Sequence, residues 1–374
     1  MDRKLFGNTG LLISTLGFGG FHLCETPYAM AEKLLNKYLD LGGNYIETAP
    51  SYGNGESEVK IGRAVSHRRD EFILASKVHD RDYEGCKASI ESSLVNLQTD
   101  RIDLLLMHAV GTSEVLDEIL SENGAIKAAE EALRDGKVNF IGISMHGQPD
   151  SLIEAINRYP FDAVMTTVNY FDDCNFPEIQ QQLIPLANEK GIAIILMKPI
   201  GDGYLYKSVK DSFNYALNQK VSVVVTGMNT MEMLETDIDI ANNYPELSEA
   251  EIEEILKNAP ELNNYVCRQC GQCMPCPENV DITENFRLEG VFDRQMGDGV
   301  VDNAAEYALK ERLKHWFGTM DRAINEYTKL DGKASNCTEC GICMSKCPYN
   351  IDIIKKLKNV DYKLAPEYGK IFDN

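Results

Sequence analysis

Apolar residues in the first 260 positions follow two alternating patterns. Short, nearly continuous apolar runs stand at 14–18, 44–47, 72–78, 102–108, 138–144, 161–168, 192–198 and 221–226. Leu104-Leu105-Leu106-Met107 and Val223-Val224-Val225 contain no polar residue. A strand covered on one face alternates, so continuous runs predict strands buried on both faces, as in a parallel sheet. Between them, 30–41 and 151–158 repeat apolar residues at spacings of three and four, and 114–134 does so over a longer, acid-rich stretch. These stretches predict amphipathic helices, the last as a single long one. Eight strands, each followed by a helix, over about 230 residues predict an α/β fold, a (β/α)8 barrel. A doubly wound sheet is the alternative, but no Gly-x-Gly-x-x-Gly follows the first strand, which weakens a dinucleotide-binding Rossmann reading. Residues 4–13, around Gly7-Asn8-Thr9-Gly10, predict a small hairpin that plugs the bottom of the barrel.

Composition narrows the function classes. The chain has 374 residues, 44% hydrophobic and 25% charged, which excludes a disordered or collagen-like chain. Its net charge of -21 argues against nucleic acid or an anionic membrane as partner, since both are polyanions. No run of 18 apolar residues spans a bilayer, and residues 1–7 lack an apolar signal region, so the cytoplasm is the expected compartment. The eleven cysteines divide unevenly: Cys24, Cys86 and Cys174 are scattered, whereas eight lie between 267 and 347. The cytosol does not keep such clusters as disulfides, so they point to metal. The expected organisation is a barrel over 1–260 and a second domain over 261–374.

In such barrels the chemistry sits at the C-terminal ends of the strands. The polar residues there are Glu47, Tyr52, Lys77, His108, Ser144, His146, Asn169 and Lys198. Lys77 interrupts an apolar strand and requires an anionic partner, which Glu47 supplies one strand over. A tyrosine beside an ammonium has its anion favoured, so the Tyr52 pKa is expected to fall, suiting it to general-acid work. His108 would orient a carbonyl oxygen beside it. A buried ion pair with a core histidine is the competing reading of these four residues.

The stretch Gly43-Asn44-Tyr45-Ile46-Glu47-Thr48-Ala49-Pro50-Ser51-Tyr52-Gly53-Asn54-Gly55-Glu56-Ser57-Glu58 resembles the signature of the aldo/keto reductase family. Ile73-Leu74-Ala75-Ser76-Lys77 and Asp103-Leu104-Leu105-Leu106-Met107-His108 are similar to that family's lysine and histidine segments. The resemblance covers residues 1 to about 258. It implies a (β/α)8 barrel that reduces a small carbonyl, or oxidises the alcohol, with NAD(H) or NADP(H) and without metal. The implied tetrad is Glu47, Tyr52, Lys77 and His108, with Glu47 where the family usually has aspartate. The resemblance further implies cofactor contacts at Ser144, Asn169, Lys198, Gly227, Met228 and Thr230. Ser144 and Asn169 read equally as strand-end caps, and Lys198 equally as part of a structural ion pair. Met165 takes the place of the glutamine usual near the nicotinamide amide. His146 and His22 read as substrate contacts or plain loop histidines, and Cys174 as a buried free thiol. No Lys or Arg occurs between Lys220 and Lys257, where the family's NADPH-dependent members often carry a basic pair, so NADH is the expected preference.

The clustered cysteines form two motifs. One is Cys267-x2-Cys270-x2-Cys273-x2-Cys276-Pro277, the other Cys337-x2-Cys340-x2-Cys343-x3-Cys347-Pro348. The second matches the bacterial run that ligates [4Fe–4S] clusters, and the first is one residue shorter. Zinc is the competitor, but it takes two pairs separated by a loop, whereas here three x2-spaced cysteines come consecutively, twice. The intervening 60 or so residues look helical, for example 303–316 and 319–327. The chain therefore resembles aldo/keto reductases with a C-terminal helical two-cluster ferredoxin-type domain. Because the fourth cysteine of each motif serves the other cluster, one cluster is expected on Cys267, Cys270, Cys273 and Cys347, and the other on Cys337, Cys340, Cys343 and Cys276. Two functions follow. One is an oxidoreductase whose clusters serve structure or communicate with a redox-partner protein. The other is an iron–sulfur electron-transfer or redox-sensing protein whose barrel binds a ligand without nicotinamide turnover. No flavin motif bridges hydride and one-electron chemistry.

Overall fold

The computed structural model describes residues 1–146, 149–203, 205, 207–262, 264–296 and 320–365. The expected helix at 303–316 lies outside the described residues. The chain divides into two compact units, one of 1–168, 178–199 and 213–246, the other of 169–177, 200–212 and 247–374.

The first unit is a closed parallel barrel. A hairpin of β1 (Arg3–Leu5) and β2 (Leu12–Ser14) precedes it. The barrel strands are β3 (Leu16–Gly19), β4 (Tyr45–Glu47), β5 (Ile73–Val78), β6 (Ile102–Met107), β7 (Val138–Ser144), β8 (Ala163–Thr167), β9 (Ala193–Met197) and β10 (Val223–Thr226). Each pairs with its sequence neighbour, and β10 closes onto β3. All eight fall within or next to the apolar runs, because each strand meets the barrel interior on one face and a helix on the other. The interior is filled by Tyr45, Ala75, Leu104, Met165, Ile195 and Val225 among others. Phe6 and Ile13 of the hairpin belong to the same cluster and are fully buried, so the hairpin does plug one end. Its tip lies against the start of β9: Gly7 has φ +53° and a Cβ there would meet the Ala193 nitrogen at 2.5 Å. The plug is therefore at the N-terminal end, which leaves the C-terminal end as the mouth.

The outer helices of this unit include α1 (Tyr28–Asp40), α2 (Glu56–Val65) and α3 (Tyr83–Leu97). The single helix expected over 114–134 is two, α4 (Ser113–Leu120) and α5 (Ala125–Arg134). Gly124 is extended where the chain turns back on itself, and a Cβ there would lie 2.1 Å from the Ile119 carbonyl oxygen. The apolar periodicity runs through both pieces and conceals that break. The α6 helix (Asp150–Arg158) lies where expected, and α8 (Ile184–Lys190), most of α9 (Val209–Leu217) and α10 (Met231–Asn243) complete the ring.

The second unit is helical, with α7 (Tyr170–Asn175), α11 (Glu249–Asn258), α12 (Ile282–Met296), α13 (Met320–Lys329) and α14 (Ile353–Leu364). Ser248 and Glu251 form a capping box on α11. Buried Asn285 of α12 donates to the Gly332 carbonyl (2.7 Å) and accepts from the Ala334 N–H (2.8 Å), which fixes the approach to the second cysteine motif. Buried Glu289 of α12 accepts from Lys356 and from Lys363 (2.9 Å) of α14, and from the Tyr265 hydroxyl (2.9 Å). Among the described residues no helix is long and apolar enough to cross a membrane.

Candidate functional site

Strand alternation carries the interior positions up to the mouth. Ile73 and Ala75 face the barrel core, so Lys77, two residues on, faces the same way at the rim. Tyr45 places Glu47 likewise, and Glu47 lies in register with Ala75. Leu104 and Leu106 do the same for His108. Glu47 and Lys77 are buried at 4% and 2% exposure, so neither charge can be left to solvent.

Lys77 uses all three of its donors. Its Nζ donates to the Glu47 carboxylate, to the Thr48 carbonyl (2.9 Å) and to the Tyr52 hydroxyl oxygen (3.0 Å). It also lies 4.6 Å from the centre of the Tyr52 ring. Burial by itself would lower the Lys77 pKa, but Glu47 and Tyr52 outweigh it and hold the amine protonated. Burial pushes Glu47 up, and its single lysine does not fully offset this. The expected fall of the Tyr52 pKa does not occur. It rises to about 12, because burial and the nearby Glu47 charge exceed the pull of Lys77. The hydroxyl thus stays protonated at neutral pH. Its oxygen accepts from Lys77, so its own proton is not committed to the lysine.

His108 stands edge-on to Tyr52, ring centres 6.2 Å apart. Burial, then Lys77, His79 and Arg81, hold its pKa well below that of an ordinary histidine, so it is a neutral imidazole. Phe21 also packs edge-on with the Tyr52 ring, ring centres 4.9 Å apart. The loop carrying Tyr52 is held by groups that sequence reasoning left unassigned. Thr48 bonds Ser57 (2.8 Å), and Ser57 donates to the Gly20 carbonyl (2.7 Å). Buried Glu58 accepts from Ser76 (2.8 Å) and Asn96 (3.2 Å), tying α2 to β5 beside Lys77. Ser57 and Glu58 lie within the signature stretch, but their spacing alone does not distinguish support from chemistry.

The other expected cofactor residues divide by what their side chains do. Ser144 is buried at the end of β7 and donates weakly to the Met107 carbonyl (3.3 Å). Asn169 caps α7: its Oδ1 accepts from the N–H groups of Phe171 (3.1 Å) and Asp172 (2.8 Å), and its Nδ2 donates to Asp172 (2.7 Å). Lys198 follows β9 with φ +60°, a backbone conformation costly for a lysine. Gly227 and buried Met228 follow β10, and Thr230 caps α10 by accepting from Met233 N–H (3.1 Å). Gly227 faces the His22 ring, which a Cβ would meet at 2.0 Å. Met165 is in register with Ser144. The Cys174 thiol is buried and donates to the Tyr170 carbonyl (3.2 Å).

In the second unit the two cysteine motifs fold alike. Each places the residue before its second cysteine in left-handed backbone, Gln269 (φ +54°) and Glu339 (φ +58°), and the glycine after it too, Gly271 (φ +68°) and Gly341 (φ +77°). Each closes with Cys-Pro-x-Asn, whose asparagines are also left-handed, Asn279 and Asn350. Asp281 and Asp352 then cap the helices that follow. The repeat Cys-Pro-x-Asn-(Val or Ile)-Asp-Ile at 276–282 and 347–353 is visible in the sequence and was the missed signal for this likeness. Cys267, Cys270, Cys273 and Cys347 line one small cavity with Arg268, Phe286, Tyr349 and Ile353. Burial, then the neighbouring Cys270, Cys347 and Cys343 thiols, push Cys273 up to about 11. Burial, followed by Cys337, Cys340 and Cys276, pushes Cys343 up. Among the described residues no three His, Cys, Asp or Glu side chains converge as the ligands of a single ion.

A model of the aldo/keto reductase family matches residues 15–237. The chain is 29% identical over 231 residues to an uncharacterized oxidoreductase, YqkF, of Bacillus subtilis, covering 59% of this chain and 71% of that one. It is 27% identical over 286 residues to L-galactose dehydrogenase of Arabidopsis thaliana, covering 64% and 87%. Among solved structures it is similar to the aldo-keto reductase AKR11C1 from Bacillus halodurans in its holo form, with a TM-score of 0.61 and 26% identity over 70% of this chain and 97% of the other. An aldo-keto reductase from Klebsiella pneumoniae in complex with NADPH shares the fold, at a TM-score of 0.57 and 18% identity over 70% and 96%.

Proposed function

The chain belongs to the aldo/keto reductase family and is an oxidoreductase of that type, and from that premise we propose that Tyr52 is the proton donor in NAD(P)H-dependent reduction of a small carbonyl compound. One observation carries the reading: Lys77 donates to the Tyr52 oxygen and leaves that hydroxyl's proton uncommitted at the barrel mouth. The bound nicotinamide supplies the hydride. Tyr52 gives its proton to the substrate oxygen, and the Lys77 ammonium, itself neutralised by Glu47, stabilises the tyrosinate left behind. A tyrosine with a pKa near 12 holds its proton in reserve, and the ammonium 3.0 Å away lowers the cost of releasing it. Neutral His108 can donate a hydrogen bond to the same oxygen without adding a charge, which fixes the carbonyl between the two rings. Glu47 in the aspartate's place keeps this charge pattern, because its carboxylate reaches Lys77.

The cofactor's phosphates fit the loop of Gly227, Met228 and Thr230, whose backbone leads into the N-terminus of the 13-residue helix α10. For the nicotinamide half we infer contacts from Ser144, at the end of β7, and Lys198, just after β9, with Asn169 a further candidate from the sequence. NADH should bind at least as well as NADPH, since a missing charge-assisted phosphate contact is worth about 1.5–3 kcal/mol.

The eight clustered cysteines are read as ligands of two [4Fe–4S] clusters with crossed ligation. A cavity holding three cysteines of the first motif and Cys347 of the second supports this grouping. A cubane asks for thiolates that each reach a different iron, not for donors converging on one ion.

Anaerobically purified protein tests the whole reading. It should carry about eight iron atoms per chain and oxidise NADH with a panel of aldehydes and ketones. Titration with NADPH should be no tighter than with NADH. Cys347→Ser should bleach the cluster of the first motif. Iron and sulfide without any nicotinamide binding would leave the electron-transfer reading standing instead.

A further inference from the structure

The two cysteine loops share a backbone and differ in charge. Position 268, between the first two cysteines, is arginine, and its equivalent in the second motif is Thr338. Arg268 lines the cavity of Cys267, Cys270, Cys273 and Cys347. Its guanidinium stacks on Tyr349, 4.6 Å from the ring centre. One end is anchored, Nη1 donating to the Val266 carbonyl at 2.5 Å. The other is not: the Nε–H is buried and has no hydrogen-bond partner. A buried guanidinium N–H without an acceptor is costly, and such a group points to a missing partner. The lining is otherwise mostly apolar, including Phe286, Ile351 and Ile353; the Thr283 hydroxyl there donates to Asp281, and the four cysteine sulfurs are the acceptors gathered around the cavity.

We propose that Arg268 donates its Nε–H to the sulfurs of the first cluster and, with its fixed charge, holds that cluster at a higher reduction potential than the second. The inference rests on the two-cluster reading above. The physics is simple. Reduction adds negative charge to a cluster, and hydrogen bonds and cations beside its sulfurs favour that state. At the second site the equivalent side chain, Thr338, carries no charge. The asymmetry orders the pair: an electron delivered to the module rests on the cluster bound by Cys267, Cys270, Cys273 and Cys347.

The test is a redox titration of the full chain, reconstituted anaerobically and followed by visible absorbance and electron paramagnetic resonance. Wild type should show two separate one-electron couples. Arg268→Gln should lower the upper couple by at least the equivalent of a tenfold change in reduced fraction, about 59 mV, and leave the lower couple in place. Arg268→Lys, which keeps the charge and loses the fixed fork, should fall between. Thr338→Arg should raise the lower couple. Coincident couples in wild type, an unmoved upper couple in Arg268→Gln, or loss of the first cluster from both Arg268 variants would each overturn the proposal. Wild-type protein that takes up no iron would instead overturn the cluster reading itself, and the iron assay separates that failure from the others.

Discussion

Each unit contains a cluster of glutamate, lysine and tyrosine built on a buried glutamate–lysine pair. In the first, Lys77 donates to Glu47 and to the Tyr52 oxygen. In the second, Lys356 and Lys363 donate to Glu289, and Lys356 lies 3.6 Å from the centre of the Tyr265 ring. The residue types agree and the proton inventory does not. Tyr265 donates its proton to Glu289 (2.9 Å) and accepts from Lys363 (3.1 Å), so its hydroxyl is fully engaged. Tyr52 accepts from Lys77, and its proton remains available. The carboxylates differ in the same sense. Burial would raise both, but two lysines pull Glu289 below its ordinary pKa, whereas one leaves Glu47 above it. A saturated cluster joins helices. An unsaturated one, placed at a barrel mouth beside a neutral imidazole, can move a proton. On the proposed reading, chemistry depends on which donor is left uncommitted, not on which residues are present.

The comparison can be pressed from both sides. The largest effect is expected from Glu289→Gln, which leaves two lysines facing a neutral amide. Breaking a buried ion pair from one side typically costs about 3–5 kcal/mol. Hydrogen exchange should show α12 and α14 opening while nicotinamide-linked turnover is nearly unchanged; equal loss of turnover would erase the distinction. A second contrast is in pH. Glu289, depressed in the fold, contributes stability that is present above the ordinary carboxylate range near 4.3 and is lost as pH falls through its lower folded value. Asp237 of α10 behaves oppositely. It is 1% exposed, both carboxylate oxygens lack a hydrogen-bond partner, and burial holds its pKa far above normal. Its ionisation opposes folding increasingly as pH rises from about 4 toward that raised value. Asp237→Asn should therefore gain on wild type by up to about 1.4 kcal/mol per pH unit across that window, seen as a melting-temperature difference that widens with pH. A constant difference would contradict it. The smallest effect belongs to Tyr265→Phe, which removes the hydroxyl's two hydrogen bonds, each worth roughly 0.5–1.5 kcal/mol, and should leave turnover and cofactor binding untouched.

The two units were also unequally legible. The barrel was readable because period and burial agree: an apolar run such as 104–107 is compatible with few other structures, and the polar residue that ends it falls at the mouth. The break at Gly124 was hidden because amphipathic periodicity continues through it; only the close carbonyl of Ile119 reveals why glycine is there. That Glu47, Tyr52, Lys77 and His108 lie together was legible from the strand ends and the family resemblance, but the direction of the Tyr52 shift was not. A sequence shows that a lysine is near and cannot show that burial and Glu47 together outweigh it. In the second unit the cysteines announced themselves, whereas the Glu289 network joins residues 24 to 98 positions apart and carries no local pattern. Arg268 is similar: an arginine between two cysteines is unremarked in sequence, and its unpartnered Nε–H appears only once the loop is folded.

The most direct measurement compares single-turnover hydride transfer from a bound nicotinamide in Tyr52→Phe and Tyr265→Phe, with nicotinamide affinity determined for each. Removing a positioned general acid typically costs about 10² to 10⁴ in rate. The account predicts a loss of that size in Tyr52→Phe, with cofactor affinity nearly unchanged, and wild-type transfer in Tyr265→Phe. Wild-type transfer in Tyr52→Phe would show that its uncommitted proton is not the one delivered to the substrate.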